Sequence, residues 1–152
     1  MSDTQTFVVR WGECDVNGHM RNTTYSEYGV EARVAFLAAR GFAYARLREL
    51  GLGPVLLREE IDYLHELHLG DAVEVDLTRL GHSPDGARFR LAHDFRRPGG
   101  KLAARVVVLG AWMDLRTRRL TAPPEELRRA IADAVAGEPY EELPPLRRSR
   151  AT

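Results

Sequence analysis

Four runs of apolar and β-branched residues, 55–69, 73–80, 88–95 and 102–115, follow one another with Gly70-Asp71, Ser83-Pro84-Asp85-Gly86 and Arg97-Pro98-Gly99-Gly100 between them. Strands joined by turns this short pair antiparallel as a meander. An amphipathic segment lies upstream: from about residue 23 to residue 40, Tyr25, Tyr28, Ala32, Ala35, Phe36 and Ala39 recur at three- and four-residue spacing, which predicts a long helix buried on one side. Gly41 supplies its stop, and its start is capped either by Thr24 with Glu27 as a capping box or by Asn22. A first strand over 6–11 precedes it. A short helical piece over 43–50 ends at Gly51-Leu52-Gly53-Pro54, and Pro123-Pro124 opens a last helix over 125–135. This order predicts an α+β fold, an antiparallel sheet wrapped around a long central helix. Residues 1–136 read as one domain. Residues 137–152, which include Arg147-Arg148-Ser149-Arg150, read as a Pro/Arg-rich tail, extended or loose.

Charge narrows the partners. Twenty-two basic residues balance 22 acidic ones, so no global field draws the chain to nucleic acid or to an anionic membrane. All the basic residues except Lys101 are arginine, so arginine number alone carries no functional meaning. A hydrophobic content of 44% excludes wholesale disorder. With the single cysteine Cys14, neither an intrachain disulfide nor a cysteine-based zinc cage can form, which suits a reducing cytoplasm. The N-terminus lacks the pattern of a secretory signal and no run of about 18 apolar residues occurs, so neither export nor membrane insertion is expected.

The most informative stretch is residues 9–33, VRWGECDVNGHMRNTTYSEYGVEAR, a polar loop between the first strand and the long helix. Asp15 stands seven residues before Asn22, near the helix start. Helix N-termini offer unpaired N–H groups and partial positive charge, so they can hold the oxyanion that forms when a carbonyl is attacked. An acid beside such a terminus is a hydrolytic pairing. Equally, Asp15 can be a turn builder that bonds backbone N–H groups among Asn and Gly.

Glu13, Asp15, Gly18, His19, Asn22 and Tyr25 carry a (D/E)-x-D-x-x-G-H-x-x-N-x-x-Y pattern, continued by Glu27, Tyr28, Glu31, Ala32 and Arg33. This resembles the signature of the 4-hydroxybenzoyl-CoA thioesterase-like branch of the hotdog-fold superfamily. Weaker similarity extends over most of the domain, through Gly70-Asp71 and residues 120–127. The resemblance implies an acyl-CoA or acyl-carrier-protein thioesterase in which Asp15 is nucleophile or general base and a backbone N–H near Asn22 holds the carbonyl. Some relatives carry His where Asn22 stands. His19 is a candidate proton donor or water orienter, and Glu27 and Glu31 on the helix are the fallback acids. Arg79, His82, Arg88 and Arg119 correspond to positions that meet coenzyme A phosphates in relatives, a task that suits the guanidinium fork. Tyr25 borders the acyl channel. No cofactor is implied, coenzyme A being part of the substrate, and the partners implied are acyl-CoA and further copies of the chain, as homodimer or homotetramer through its longest strands. The alternative is a hotdog protein that binds or senses acyl thioesters without cleaving them. A hotdog dehydratase would need an Asp and His pair at a spacing absent here.

Metal is not expected. If residues 65–68, His-Glu-Leu-His, lie on a strand, the two histidines point to opposite faces, and His82 and His93 have no companion at ligand spacing. Cys14 lacks a His to activate it and reads as a small packed residue.

Overall fold

In the computed structural model, which describes residues 3–147, the chain runs β1 (Gln5–Val8), α1 (Asn22–Ala38), α2 (Tyr44–Leu50), β2 (Leu52–Tyr63), β3 (Ala72–Val75), β4 (Thr78–His82), β5 (Arg88–Arg96), β6 (Leu102–Asp114), β7 (Arg119–Leu120), α3 (Glu125–Ala132) and β8 (Ala136–Glu142). One curled sheet holds the strands and wraps α1, the hotdog arrangement. The face of α1 turned to the sheet buries Tyr25, Tyr28, Ala32 and Phe36, which pack with Phe95, Val106, Val108 and Trp112 of β5 and β6 in one core. Gly29 lets the helix come close to β5, because a side chain there would meet the Arg33 guanidinium at 3.3 Å and the His93 ring at 3.4 Å.

The pairing is not a simple meander. β2 pairs antiparallel with β6, not with β3, and β6 pairs in turn with β5. The chain leaves the sheet after Tyr63 because residues 64–71 are drawn elsewhere: Leu67 is fully buried and its carbonyl accepts the Met20 N–H at 2.6 Å. The strand expected over 55–69 therefore stops at 63, and that expected over 73–80 divides into β3 and β4, both paired with β5. Asp76 marks the break, where its carboxylate accepts the Asp94 N–H at 2.8 Å.

The start of α1 also differs from expectation. Arg21 is the N-cap, no side chain caps the helix, Asn22 lies inside it, and Thr24 is buried within the first turn. Beyond α3, residues 136–142 are extended but not loose: β8 pairs in parallel with β4, and Leu143 N–H donates to the His82 carbonyl at 3.1 Å. Of Arg147-Arg148-Ser149-Arg150, the last three lie outside the described residues. Among the described residues no helix is long and apolar enough to cross a membrane.

Candidate active site

The site is assembled by a buried acid. Glu13 ends a 3₁₀ turn over Trp11–Glu13 and is only 5% exposed, a costly position for a carboxylate unless both oxygens are engaged. Oε2 accepts the Arg10 N–H at 2.9 Å and the Tyr28 hydroxyl at 2.6 Å, while Oε1 accepts the Arg10 guanidinium at 2.8 and 3.2 Å. Burial pushes the Glu13 pKa up, but the bonds from Arg10 and Tyr28 outweigh it and hold it below its ordinary value. The Glu13 carbonyl accepts the Arg21 N–H at 2.8 Å, so this residue anchors the return of the loop as well as its departure.

Between these anchors the chain forms a small hairpin, with Cys14 bridged to Met20. Asp15 shapes its tip. Its Oδ1 accepts the N–H groups of Asn17 (2.9 Å) and His19 (3.2 Å), its N–H donates to the His19 carbonyl (2.9 Å), and its carbonyl accepts the Gly18 N–H (3.1 Å). Gly18 takes φ of +79°, which a residue with a side chain adopts only under strain. Asp15 is thus a turn builder through one oxygen. The other, Oδ2, accepts no hydrogen bond among the described residues.

A cavity of about 560 Å³ opens beside this tip, walled by Asp15, His19, Asn22 and Tyr25 on one side and by Tyr63, His65, Glu66, His68 and Arg97 on the other. Asn22 is the first residue of α1, and the N–H groups of Asn22 and Thr23 make no hydrogen bond among the described residues, so the positive end of the helix is unspent here. The Asn22 carbonyl accepts the Tyr63 hydroxyl at 3.3 Å. Tyr25 stacks edge-on against Tyr63 at 5.1 Å, and burial, helped by Tyr63 and Asp15, pushes its phenol up to about 12. It is a neutral donor at ordinary pH.

The predicted residues divide into two groups. Asp15, His19, Asn22 and Tyr25 come together around this cavity, whereas Arg79, His82, Arg88 and Arg119 stand apart from it. Arg79 donates to the Tyr140 hydroxyl of β8, His82 lies at the end of β4 with its pKa lowered by burial and by Arg79 and Arg128, and Arg119 is exposed on β7. Glu27 and Glu31 are exposed and outside the cavity. Cys14 is half-buried against the core, as expected. Tyr63 and Arg97 were not foreseen as site residues. The turn at Arg97-Pro98-Gly99-Gly100 was legible, but its proximity to Asp15 depends on the pairing of β5 with β6.

Residues 65–68 are not on a strand, and Glu66 and His68 converge on His19. Elsewhere, the C-terminal half of α1 borders a second cavity of about 200 Å³, lined by Arg33, Phe36, Leu56, Phe89, Trp112 and other apolar residues. Behind it His93 is fully buried. Its Nδ1 faces the Asp76 carbonyl at 2.8 Å and must carry the proton, leaving Nε2 to accept from Arg33 at 3.0 Å.

Residues 9–131 match the family model described as the thioesterase-like superfamily. A Staphylococcus aureus hypothetical protein solved in complex with CoA superposes with a TM-score of 0.80 at 28% identity, over 87% of this chain and 82% of that one. A 1,4-dihydroxy-2-naphthoyl-CoA thioesterase from Synechocystis shares the fold, with a TM-score of 0.76 at 21% identity over 86% of this chain and 95% of that one. An Aquifex aeolicus protein named "Putative esterase" is 38% identical over 69 residues, 45% of this chain and 54% of its own length. The match thus spans about half of that relative.

Proposed function

The chain belongs to the thioesterase-like superfamily and has its hotdog fold, and from that premise we propose that it hydrolyses an acyl-CoA thioester to the free acid and coenzyme A, with Asp15 as the working carboxylate. The observation that carries this reading is the division of labour at Asp15: Oδ1 is fixed by two backbone N–H groups while Oδ2, which has no hydrogen-bond partner among the described residues, shares the cavity with the first residue of α1, Asn22, whose N–H is likewise unpaired among them. As general base, Oδ2 takes a proton from water as the water attacks the thioester carbonyl. The Asn22 N–H stabilises the oxyanion, and collapse expels the thiolate of coenzyme A, which takes up the proton. As nucleophile, Oδ2 attacks the carbonyl itself, the tetrahedral adduct breaks its C–S bond and expels the coenzyme A thiolate to leave a mixed anhydride, and water then hydrolyses that anhydride, releasing the acid, restoring the Asp15 carboxylate and yielding the proton the thiolate takes up. His19 lies within reach of the same space and orients water or supplies the proton to the leaving sulfur. Coenzyme A as carrier is supported by the CoA complex of the S. aureus relative.

Asp15→Asn keeps the turn, because an amide oxygen also accepts the Asn17 and His19 N–H groups, but removes the charge. The expected result is a fall in kcat on the order of 10²-fold or more with little change in Tm. Thiol release across short, long, branched and aromatic acyl-CoA substrates measures it. A variant within about threefold of wild type, roughly 0.7 kcal/mol in transition-state stabilisation, defeats the assignment. Wild-type protein that binds acyl-CoA without releasing thiol favours the binding-only alternative.

The same proposal includes self-association in a cytoplasmic setting where Cys14 stays reduced. Of the two longest strands, β6 is paired on both sides, whereas β2, 12 residues long, pairs among the described residues only with β6 and leaves its other edge open there. Val30, Val34, Leu56 and Leu57 leave apolar surface exposed on α1 and β2. A homodimer joined along β2 covers both, and light scattering at micromolar concentration is expected to show at least twice the chain mass. Arg79, His82, Arg88 and Arg119 can serve the nucleotide only where a second chain brings its own cavity to them.

A further inference from the structure

The loop 64–71, drawn out of the sheet by Leu67, sets His68 against His19 in an isolated antiparallel bridge, their rings 5.4 Å apart and edge-on. Glu66 projects into the same space. Its Oε2 is 3.1 Å from His19 Nε2 and 3.5 Å from His68 Nε2, and the three ligand atoms lie within 4.8 Å of one another. Two donors each about 2.0–2.1 Å from a tetrahedral zinc ion stand roughly 3.3 Å apart, so both separations to Glu66 suit ligands on one ion. Behind His68, the Asp71 carboxylate accepts the His68 backbone N–H at 2.8 Å and stands 3.8 Å from Nδ1, too far for a hydrogen bond but on the side of the ring away from Glu66. The donors are partly exposed, with side-chain accessibilities of 31% for His19, 61% for Glu66 and 49% for His68, so an ion has a path in.

We propose that His19, Glu66 and His68 bind a zinc-class divalent cation at the mouth of the cavity that holds Asp15. Two imidazoles and one carboxylate are a borderline donor set that suits zinc over calcium or magnesium, and three protein ligands leave a coordination position for water. The bound ion ties the 64–71 loop to the Asp15 hairpin, adding to the Met20–Leu67 backbone bond, the His19–His68 bridge and the His19–Glu66 pair. An ion on His19 Nε2 takes that residue out of proton donation and leaves Asp15 and the Asn22 N–H as the hydrolytic groups; its binding is read without substrate, so this proposal and the thioesterase reading stand or fall separately.

The experiment is calorimetric titration of tag-free, chelator-treated full-length protein with Zn²⁺, and with Mg²⁺ in parallel, followed by Co²⁺ as a spectroscopic probe of coordination. Wild type is expected to take up one Zn²⁺ per chain at micromolar concentration, to ignore Mg²⁺ in that range, and to show the visible bands of low-coordinate Co²⁺. His68→Ala and Glu66→Gln are each expected to weaken Zn²⁺ binding at least about tenfold, while His65→Ala, on the same cavity wall but outside the donor set, leaves it unchanged. If His68→Ala does not fold, Glu66→Gln carries the test alone. Zn²⁺ affinity equal in wild type and in Glu66→Gln, or no binding below millimolar concentration, overturns the proposal and leaves the cluster as a histidine–carboxylate ion pair.

Discussion

The two halves of α1 border two different cavities, and their polar groups are in opposite states. At the N-terminal half, Asp15, His19, Glu66 and His68 keep exposed faces, and Asp15 leaves one carboxylate oxygen unused. At the C-terminal half, apolar residues dominate, and Arg33 on the wall donates to Nε2 of the buried His93 behind it, whose Nδ1 is held by the Asp76 carbonyl. A buried polar group stays only where its partners are fixed, whereas a reacting group must retain a lone pair for what enters. One helix therefore serves both purposes.

The sharpest way to break that contrast is Trp112→Ala. The side chain is 1% exposed and walls the second cavity, so its loss is expected to cost about 3–5 kcal/mol of stability, read as a lower denaturation midpoint, with kcat per folded molecule unchanged. A large fall in kcat in protein that remains folded would show the two cavities to be coupled.

Next in size is a pH effect. Burial, with the Arg33 charge adding, pushes the His93 pKa down to about 4 from an ordinary 6.5, so between those values the unfolded chain binds a proton that the folded chain refuses. Stability from this group is complete above about pH 6.5 and lost as pH falls toward 4, by roughly 3 kcal/mol at 1.36 kcal/mol per unit. His93→Gln keeps a donor and an acceptor without the titration. Its denaturation midpoints across that window are expected to fall less steeply than those of wild type.

The smallest effect sharpens the polar side. Arg97 is the guanidinium on the wall of the Asp15 cavity, 3.9 Å from Asp71, and contacts to phosphates far from the reacting carbonyl act about equally in ground and transition states. Arg97→Ala is expected to raise KM for acyl-CoA about fivefold, roughly 1 kcal/mol, with kcat little changed. Arg88→Ala raising KM while Arg97→Ala does not would move the nucleotide to a site completed by a second chain.

What the sequence disclosed follows from how each feature is encoded. The buried face of α1 was legible because Tyr25, Tyr28, Ala32 and Phe36 recur with the helical period, and Asp15 was legible because its loop is one continuous stretch. The ladder between β2 and β6 was not, because pairing between distant segments has no local period. Likewise, residues 65–68 look like strand until Leu67 is known to be buried against the 14–20 hairpin. β8 reads AGEPYEE, without an apolar face to announce it, and is held by its backbone pairing and by Arg79–Tyr140 and Arg90–Glu141. Glycines mark the close approach of the two strands: a side chain at Gly81 would strike the Glu141 carbonyl at 2.6 Å, and one at Gly137 the Leu80 side chain at 2.9 Å.

That C-terminal strand bears on the valence of the proposed assembly. Where β4 would end the sheet with open N–H and C=O groups, β8 lies over it and presents Glu138, Pro139, Glu141 and Glu142 to the outside, a border that no strand can extend cheaply. β1, beside β3 on the same flank, offers only four residues. A sheet with two adhesive borders propagates into a filament, but one with a single adhesive border stops at two copies. The Pro-containing strand thus makes the association proposed through β2 self-terminating.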